Sequence, residues 1–182
     1  MRPVLLVDVD GPLNPYAAKP HRRPRGYETH RLSTPRWEAG ERRRLAAWGL
    51  SDMPVKPLRV WLNPAHGPAL TALPFDLVWA TTWEEEANEF IAPVLTLPAL
   101  PFIPWASPRP ESDGGVFWKT PEIVEWADGR AFAWVDDEIT DADRAWVQAR
   151  HDGPALLHQV DPRYGLTTED FAVLARWATG LG

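Results

Sequence analysis

The segment PVLLVDVD, Pro3 to Asp10, constrains the fold of this 182-residue chain more than any other. Its apolar residues run without interruption instead of alternating with polar ones, so a strand built from them needs cover on both faces. That kind of cover is found in parallel sheets, where crossover helices lie on each side. Four later runs read as further strands: FDLVWATTW (Phe75–Trp83), PVLTLP (Pro93–Pro98), AFAWVDDE (Ala131–Glu138) and PALLHQVD (Pro154–Asp161).

Helical patterns fall between them. EEEANEFI (Glu84–Ile91) has an acidic first turn that suits its own dipole. Thr120 and Pro121 start a helix that Gly129 stops, TDADRAWVQARHDG is a helix closed by Gly153, and TTEDFAVLARWATG is the last one. Asn63 and Pro64 look like an N-cap and a first helical position, LRVWL (Leu58–Leu62) is a strand or the start of an insertion, and Pro98 to Gly115 is a proline-rich loop. Strands alternating with helices at this spacing predict an α/β fold: a Rossmann-like parallel sheet of about five strands flanked by helices. No repeat or domain boundary appears, so residues 1–182 are expected to form a single domain.

Composition narrows the function classes. The 45% hydrophobic and 24% charged content is that of a water-soluble globular chain, and no apolar run approaches the roughly 20 residues of a membrane span. The absence of cysteine removes disulfides, thiolate metal sites and a Cys nucleophile. With no signal-peptide pattern before the first strand, a cytoplasmic location is expected. The five histidines show no ligand spacing, and the eleven tryptophans are expected mainly in the core.

Charge is uneven. Residues 1–60 hold twelve Lys/Arg and six Asp/Glu, for +6, and residues 61–182 hold seven and nineteen, for −12. The basic part centres on HRRPR (His21–Arg25) and ERRR (Glu41–Arg44), with a short helix expected over Arg36–Leu50. It is either a solvated surface or a collar that attracts an anionic substrate through Arg22, Arg23 and Arg25.

Ligands of open α/β sheets bind outside the carboxyl ends of the strands. Polar residues gather at those ends: Asp8 and Asp10 after the first strand, Thr81 and Thr82 after the second, Asp136 and Asp137 after the AFAWVDDE strand, with Lys119 just before a helix start. Strand alternation sends Asp8 and Asp10 to one side. Carboxylates converging on one point repel unless a cation neutralises them, and hard oxygen ligands favour Mg²⁺.

The ordered set of DxDG after an apolar strand, strand-Thr, Lys before a helix and strand-DD resembles the haloacid dehalogenase-like (HAD) hydrolase superfamily in all four of its motifs, over roughly Val4 to Asp143. In detail, DVDGPLNP, TTW, WVDDE and DPRYGLT are similar to HAD domains associated with RNA repair proteins. The resemblance implies an Mg²⁺-dependent phosphohydrolase with an aspartyl-phosphate intermediate. It makes Asp8 the nucleophile and a metal ligand, and Asp10 the acid/base and a ligand through its carbonyl. Thr81, or Thr82 in the alternative register, would bind the phosphoryl group, and Lys119 would offset charge between nucleophile and phosphate. Asp137, assisted by Asp136, would complete the metal site, and Gly11 would allow the tight chain departure beside Asp8. Asp141 and Asp143 are expected to be helix-start residues.

In such proteins an insertion after the first strand forms a cap. Here about 65 residues separate Gly11 from the second strand, so a reduced cap built from residues 16–56 is expected. An Arg-rich rim on an open site favours a polyanionic phosphate, such as a nucleic-acid end or phosphoprotein, over a small sugar phosphate. Two other readings stand beside the hydrolase: a HAD-fold binding or assembly protein without turnover, and a phosphoacceptor signalling module. The motif order opposes the latter, because its acidic pair comes first in sequence and here Asp136 and Asp137 follow Lys119. Oligomeric state is not readable from the sequence.

Overall fold

The computed structural model describes residues 2–107 and 114–181. The part of the Pro98–Gly115 loop at 108–113 lies outside the described residues. Strand β1 (Val4–Val7) is central, and all four of its residues are buried. Each such aliphatic side chain contributes about 1.5–3 kcal/mol on burial.

The segment after β1 forms β2 (Glu28–Leu32), α1 (Pro35–Ala47) and β3 (Leu58–Leu62). Helix α2 (His66–Ala72) leads to β4 (Asp76–Trp79), which is followed by a π-helix (Ala87–Ile91) and the short α3 (Ala92–Leu95). The chain ends through α4 (Lys119–Ala127), β5 (Phe132–Asp136), α5 (Asp141–Arg150), β6 (Ala155–Gln159) and α6 (Thr168–Thr179).

The main sheet has four strands in the order β4-β1-β5-β6, all parallel. Helices cover both faces, which makes the fold Rossmann-like in general kind. Leu5 and Val7 pack with Leu70 of α2, Leu95 of α3 and Leu174 of α6. Val4 and Leu6 point the other way, toward Ile123 of α4 and Val147 of α5. Two-sided burial is what the unbroken apolar run requires.

Two expectations about elements are corrected. PVLTLP is not a strand: Pro93 sits in the first turn of α3, and Thr96 ends the helix in a left-handed conformation at φ 56°. Proline at a helix start loses no hydrogen bond, which favours this outcome over a ladder position. The sheet therefore has four strands where about five were expected. Beyond β4 the flanking position is taken by a single bridge, Trp79 to Phe102. The second correction concerns the helix after β3, which starts at His66; Asn63 instead accepts from the Ala65 N–H at 3.1 Å.

The insertion also holds a strand that the sequence pattern did not indicate. β2 pairs antiparallel with β3, from Glu28↔Leu62 to Leu32↔Leu58, as a separate two-stranded ribbon. Helix α1 connects its strands, capped by Thr34, whose Oγ1 accepts from the Trp37 N–H. Among the described residues no helix is long and apolar enough to cross a membrane.

Candidate active site

The parallel register builds the site. Val7 stands level with Val135 of β5, and the Asp8 N–H continues the ladder to the Val135 carbonyl. Asp8 and Asp136 thus leave neighbouring strands side by side. They share the parity of Leu6 and Trp134, which face α4 and α5. The first residue of α4 is Lys119, and its ammonium is buried between them, 2.9 Å from Asp8 Oδ2 and 2.8 Å from Asp136 Oδ2.

The rings of Phe117 and Trp105 stand near that ammonium, with centroids at 5.3 and 6.0 Å. The start of α4 is fixed by Asp143 of α5, which is fully buried. Its Oδ1 accepts from the Phe117 N–H and the Thr120 hydroxyl, and its Oδ2 accepts from the Thr140 N–H and hydroxyl. Asp141 and Asp143 are accordingly helix-start residues, with Thr140 and Asp143 forming a capping box.

Asp10 lies in the turn after β1, not in the strand. Its Oδ1 accepts from Asn14 Nδ2 at 2.8 Å and its Oδ2 from the Trp83 indole at 2.9 Å. Gly11 has φ +91°, and a Cβ there would overlap the Asp137 carboxylate, so glycine serves both the backbone and the neighbour. Asp137 Oδ2 accepts from the Tyr16 hydroxyl at 2.8 Å. Asp8, Asp136 and Asp137 have carboxylate oxygens within 4.8 Å of one another, and this buried or half-buried triad could hold a metal ion.

The electrostatics agree with that geometry. Burial opposes the charge on Lys119, but Asp8 and Asp136 outweigh it and raise the ammonium's pKa. Burial and then Asp8 raise the Asp136 carboxyl, with Lys119 offsetting part. Burial and then Asp8 also raise Asp10, against the hydrogen bonds from Trp83 and Asn14. Burial raises Asp137, partly offset by Tyr16. One ammonium among four carboxylates leaves a surplus of negative charge, which a divalent cation would neutralise.

Two cavities meet over this cluster. One, of about 360 Å³, is lined by Asp8, Asp10, Thr82, Lys119 and Asp137, among others. The second, of about 400 Å³, extends from Asp10, Tyr16 and Thr82 beneath α1. Thr81 is fully buried, its carbonyl accepting from the Trp105 indole at 2.8 Å. Thr82 lines both cavities.

The structure brings together Asp8, Asp10, Thr82, Lys119, Asp136 and Asp137, but not the arginines of HRRPR. Arg23 donates to Thr29 at 2.8 Å, Arg25 lines a different cavity beside His66, and the Arg22 backbone closes a turn with Lys19. None of the three lines either cavity at the strand ends; Arg36 and Arg59 line the second one. Asn14, Tyr16 and Trp83 are site residues that the motif pattern did not single out. Asn14 lies within DVDGPLNP and Trp83 within TTW, while Tyr16 directly follows the first of these motifs and carried no sign of its own.

Compared with known proteins, the chain matches no family model, no curated protein and no solved structure.

Proposed function

We propose that the protein is an Mg²⁺-dependent phosphohydrolase of HAD-like kind that cleaves a phosphomonoester through an aspartyl-phosphate on Asp8. One observation carries the reading: the Lys119 ammonium bridges Asp8 and Asp136 while Asp10 faces the same cavity with its carboxylate held by two donors. A structural ion pair needs no acid/base partner beside it. A phosphoaspartate mechanism does.

In the first step an Asp8 carboxylate oxygen attacks phosphorus, the ester P–O bond breaks, and Asp10 gives its proton to the departing oxygen. The raised pKa of Asp10 keeps that proton available. In the second step Asp10 takes a proton from water, whose oxygen attacks phosphorus, and the bond to Asp8 breaks to free inorganic phosphate. Lys119 offsets the charge gathered between Asp8 and the phosphoryl oxygens, and the Thr82 hydroxyl is the donor available from the cavity wall. Mg²⁺ would be held by Asp8, Asp136 and Asp137, with the Asp10 carbonyl as a further ligand, and when bound it would neutralise phosphoryl oxygen charge.

Phosphate release from an aryl phosphate, measured with and without Mg²⁺ for the wild type and Asp8→Asn, tests the proposal. Metal-dependent turnover by the wild type alone is expected. Equal, metal-independent rates for both proteins would remove it. Asp10→Asn is expected to accept phosphate from a substrate with a good leaving group yet release it slowly.

A further inference from the structure

The cavity beneath α1 extends from Asp10 without reaching Lys119, and nothing in the hydrolytic steps uses it. It meets the strand-end cavity at Asp10, Tyr16 and Thr82. A phosphoryl group over Asp8 would place its ester oxygen near Asp10, the proton donor to that oxygen, and the organic group beyond it would enter this second cavity. Its volume of about 400 Å³ is within the range of small-molecule sites.

Its apolar walls come from Trp83 on the core side and from Trp37 and Leu58 of the insertion. Its polar groups are mostly engaged already. Arg36 pairs with Glu84 at 2.6 Å and Glu41 with Arg44 at 2.5 Å, and Glu86 accepts from the Thr34 hydroxyl and the Arg36 N–H. Arg59 stacks on Trp61, 4.4 Å from the ring centroid, and has no carboxylate partner among the described residues. Asp10, Glu41 and Glu86 stand on the wall against Arg36 and Arg59, so the cavity has no net positive charge to draw in a polyanion, and flat indoles favour a ring.

Gly40 gives a second, independent sign. It lies inside α1, where glycine is a poor helix former, and it lines this cavity. A Cβ on it would meet no heavy atom within 4 Å, so no packing contact calls for glycine there. Glycine there leaves bare backbone on the cavity wall.

We infer that the space between Trp37, Leu58 and Trp83 binds the leaving group of the substrate, and that this group is an uncharged, ring-bearing alcohol of nucleoside size or smaller. The inference rests on the phosphohydrolase reading for what happens at Asp8, but not for the binding itself.

The test compares kcat/KM for 1-naphthyl phosphate, glycerol 2-phosphate and a 5′-phosphorylated oligonucleotide. The naphthyl ester is expected to be preferred over glycerol phosphate by at least about tenfold, the scale on which apolar pockets discriminate. Trp37→Ala, which empties the cavity wall, and Gly40→Phe, which fills the cavity from the helix, should each collapse that ratio, and Trp37→Phe should retain most of it. Because Gly40→Phe adds a side chain into open space, it also serves if Trp37→Ala unfolds. A ratio near one, a ratio unchanged in Gly40→Phe, or a preference for the oligonucleotide overturns the inference. If no ester is turned over, the phosphohydrolase reading fails alone, and quenching of tryptophan fluorescence by 1-naphthol decides the pocket. Binding weakened at least about tenfold by Gly40→Phe upholds it, and no binding overturns it.

Discussion

Asn14 ties Asp10 to the ribbon of the insertion. Its Nδ2 donates to Asp10 Oδ1 at 2.8 Å, and its Oδ1 accepts from the Trp61 N–H of β3 at 3.0 Å. The acid/base candidate is thus held by the same side chain that seats the cover of the site. Two further clasps join the insertion, at the start of α1, to the segment after β4: Thr34 and the Arg36 N–H to Glu86, and the Arg36 guanidinium to the Thr82 carbonyl and Glu84.

Asn14→Ala leaves the buried Trp61 N–H without its acceptor and is expected to cost about 1–3 kcal/mol in urea denaturation. It also removes a donor that favours the ionised form of Asp10, so the Asp10 pKa, already raised by burial and Asp8, rises further. The limb of the pH–rate profile that reports Asp10 should move to higher pH. Movement to lower pH would take Asp10 out of the acid/base role.

Lys119→Met strands two buried carboxylates. Breaking a buried pair from one side costs about 3–5 kcal/mol, and that loss is expected at neutral pH. The double variant with Asp8→Asn should recover part of the loss, because one uncompensated charge is then gone. Strict additivity in that cycle would mean that the 2.9 Å contact contributes nothing.

Gly11→Ala meets two obstacles at once, a φ of +91° and the Asp137 carboxylate in the path of its Cβ. A stability loss of about 1–3 kcal/mol is expected from the backbone alone. Displacing Asp137 should also weaken the thermal shift produced by Mg²⁺. An unchanged shift would remove Asp137 from the metal site.

His66 supplies a pH dependence independent of the site. It is buried against Tyr27 and Phe171, with ring centroids at 5.4 and 5.6 Å. Burial lowers its pKa to about 4, and a backbone hydrogen bond at Leu166 offsets only part. The unfolded imidazole titrates near 6.5, so between these values the unfolded chain binds more protons. The His66 contribution is therefore complete above about pH 6.5 and is lost as pH falls through about 4, by about 3 kcal/mol in all. His66→Phe should flatten that part of the stability–pH curve relative to wild type, and parallel curves would contradict the burial argument.

The parts of the fold legible in the sequence are those written by local rules. β1, β4, β5 and β6 are short apolar runs, and α5 and α6 begin at Thr-x-x-Asp capping boxes at Thr140 and Thr167. β2 was illegible because ETHRL is mostly exposed and carries no apolar alternation; only its pairing with β3 makes it a strand. PVLTLP misled because its composition suits a strand, while Pro93 suits a helix start equally well.

The same division runs through the site. Asp8, Lys119 and Asp136 follow from strand ends and one helix start, which sequence order preserves. Asn14, Tyr16 and Trp83 act across 47, 121 and 73 positions, separations that no local pattern encodes. The HRRPR cluster drew attention by charge density, yet density does not tell direction. Arg36 and Arg59, spaced singly, are the arginines that reach the cavity.

The Asp143 carboxylate joins segments that lie far apart in the chain. It receives Phe117 and Thr120 from the start of α4 and Thr140 from the start of α5, and so sets where Lys119 stands. In descent, a change at Asp143 is tolerable only with answering changes at Thr120 and Thr140. The block from 117 to 143 is therefore expected to be inherited together, even in lineages where the covering ribbon drifts freely.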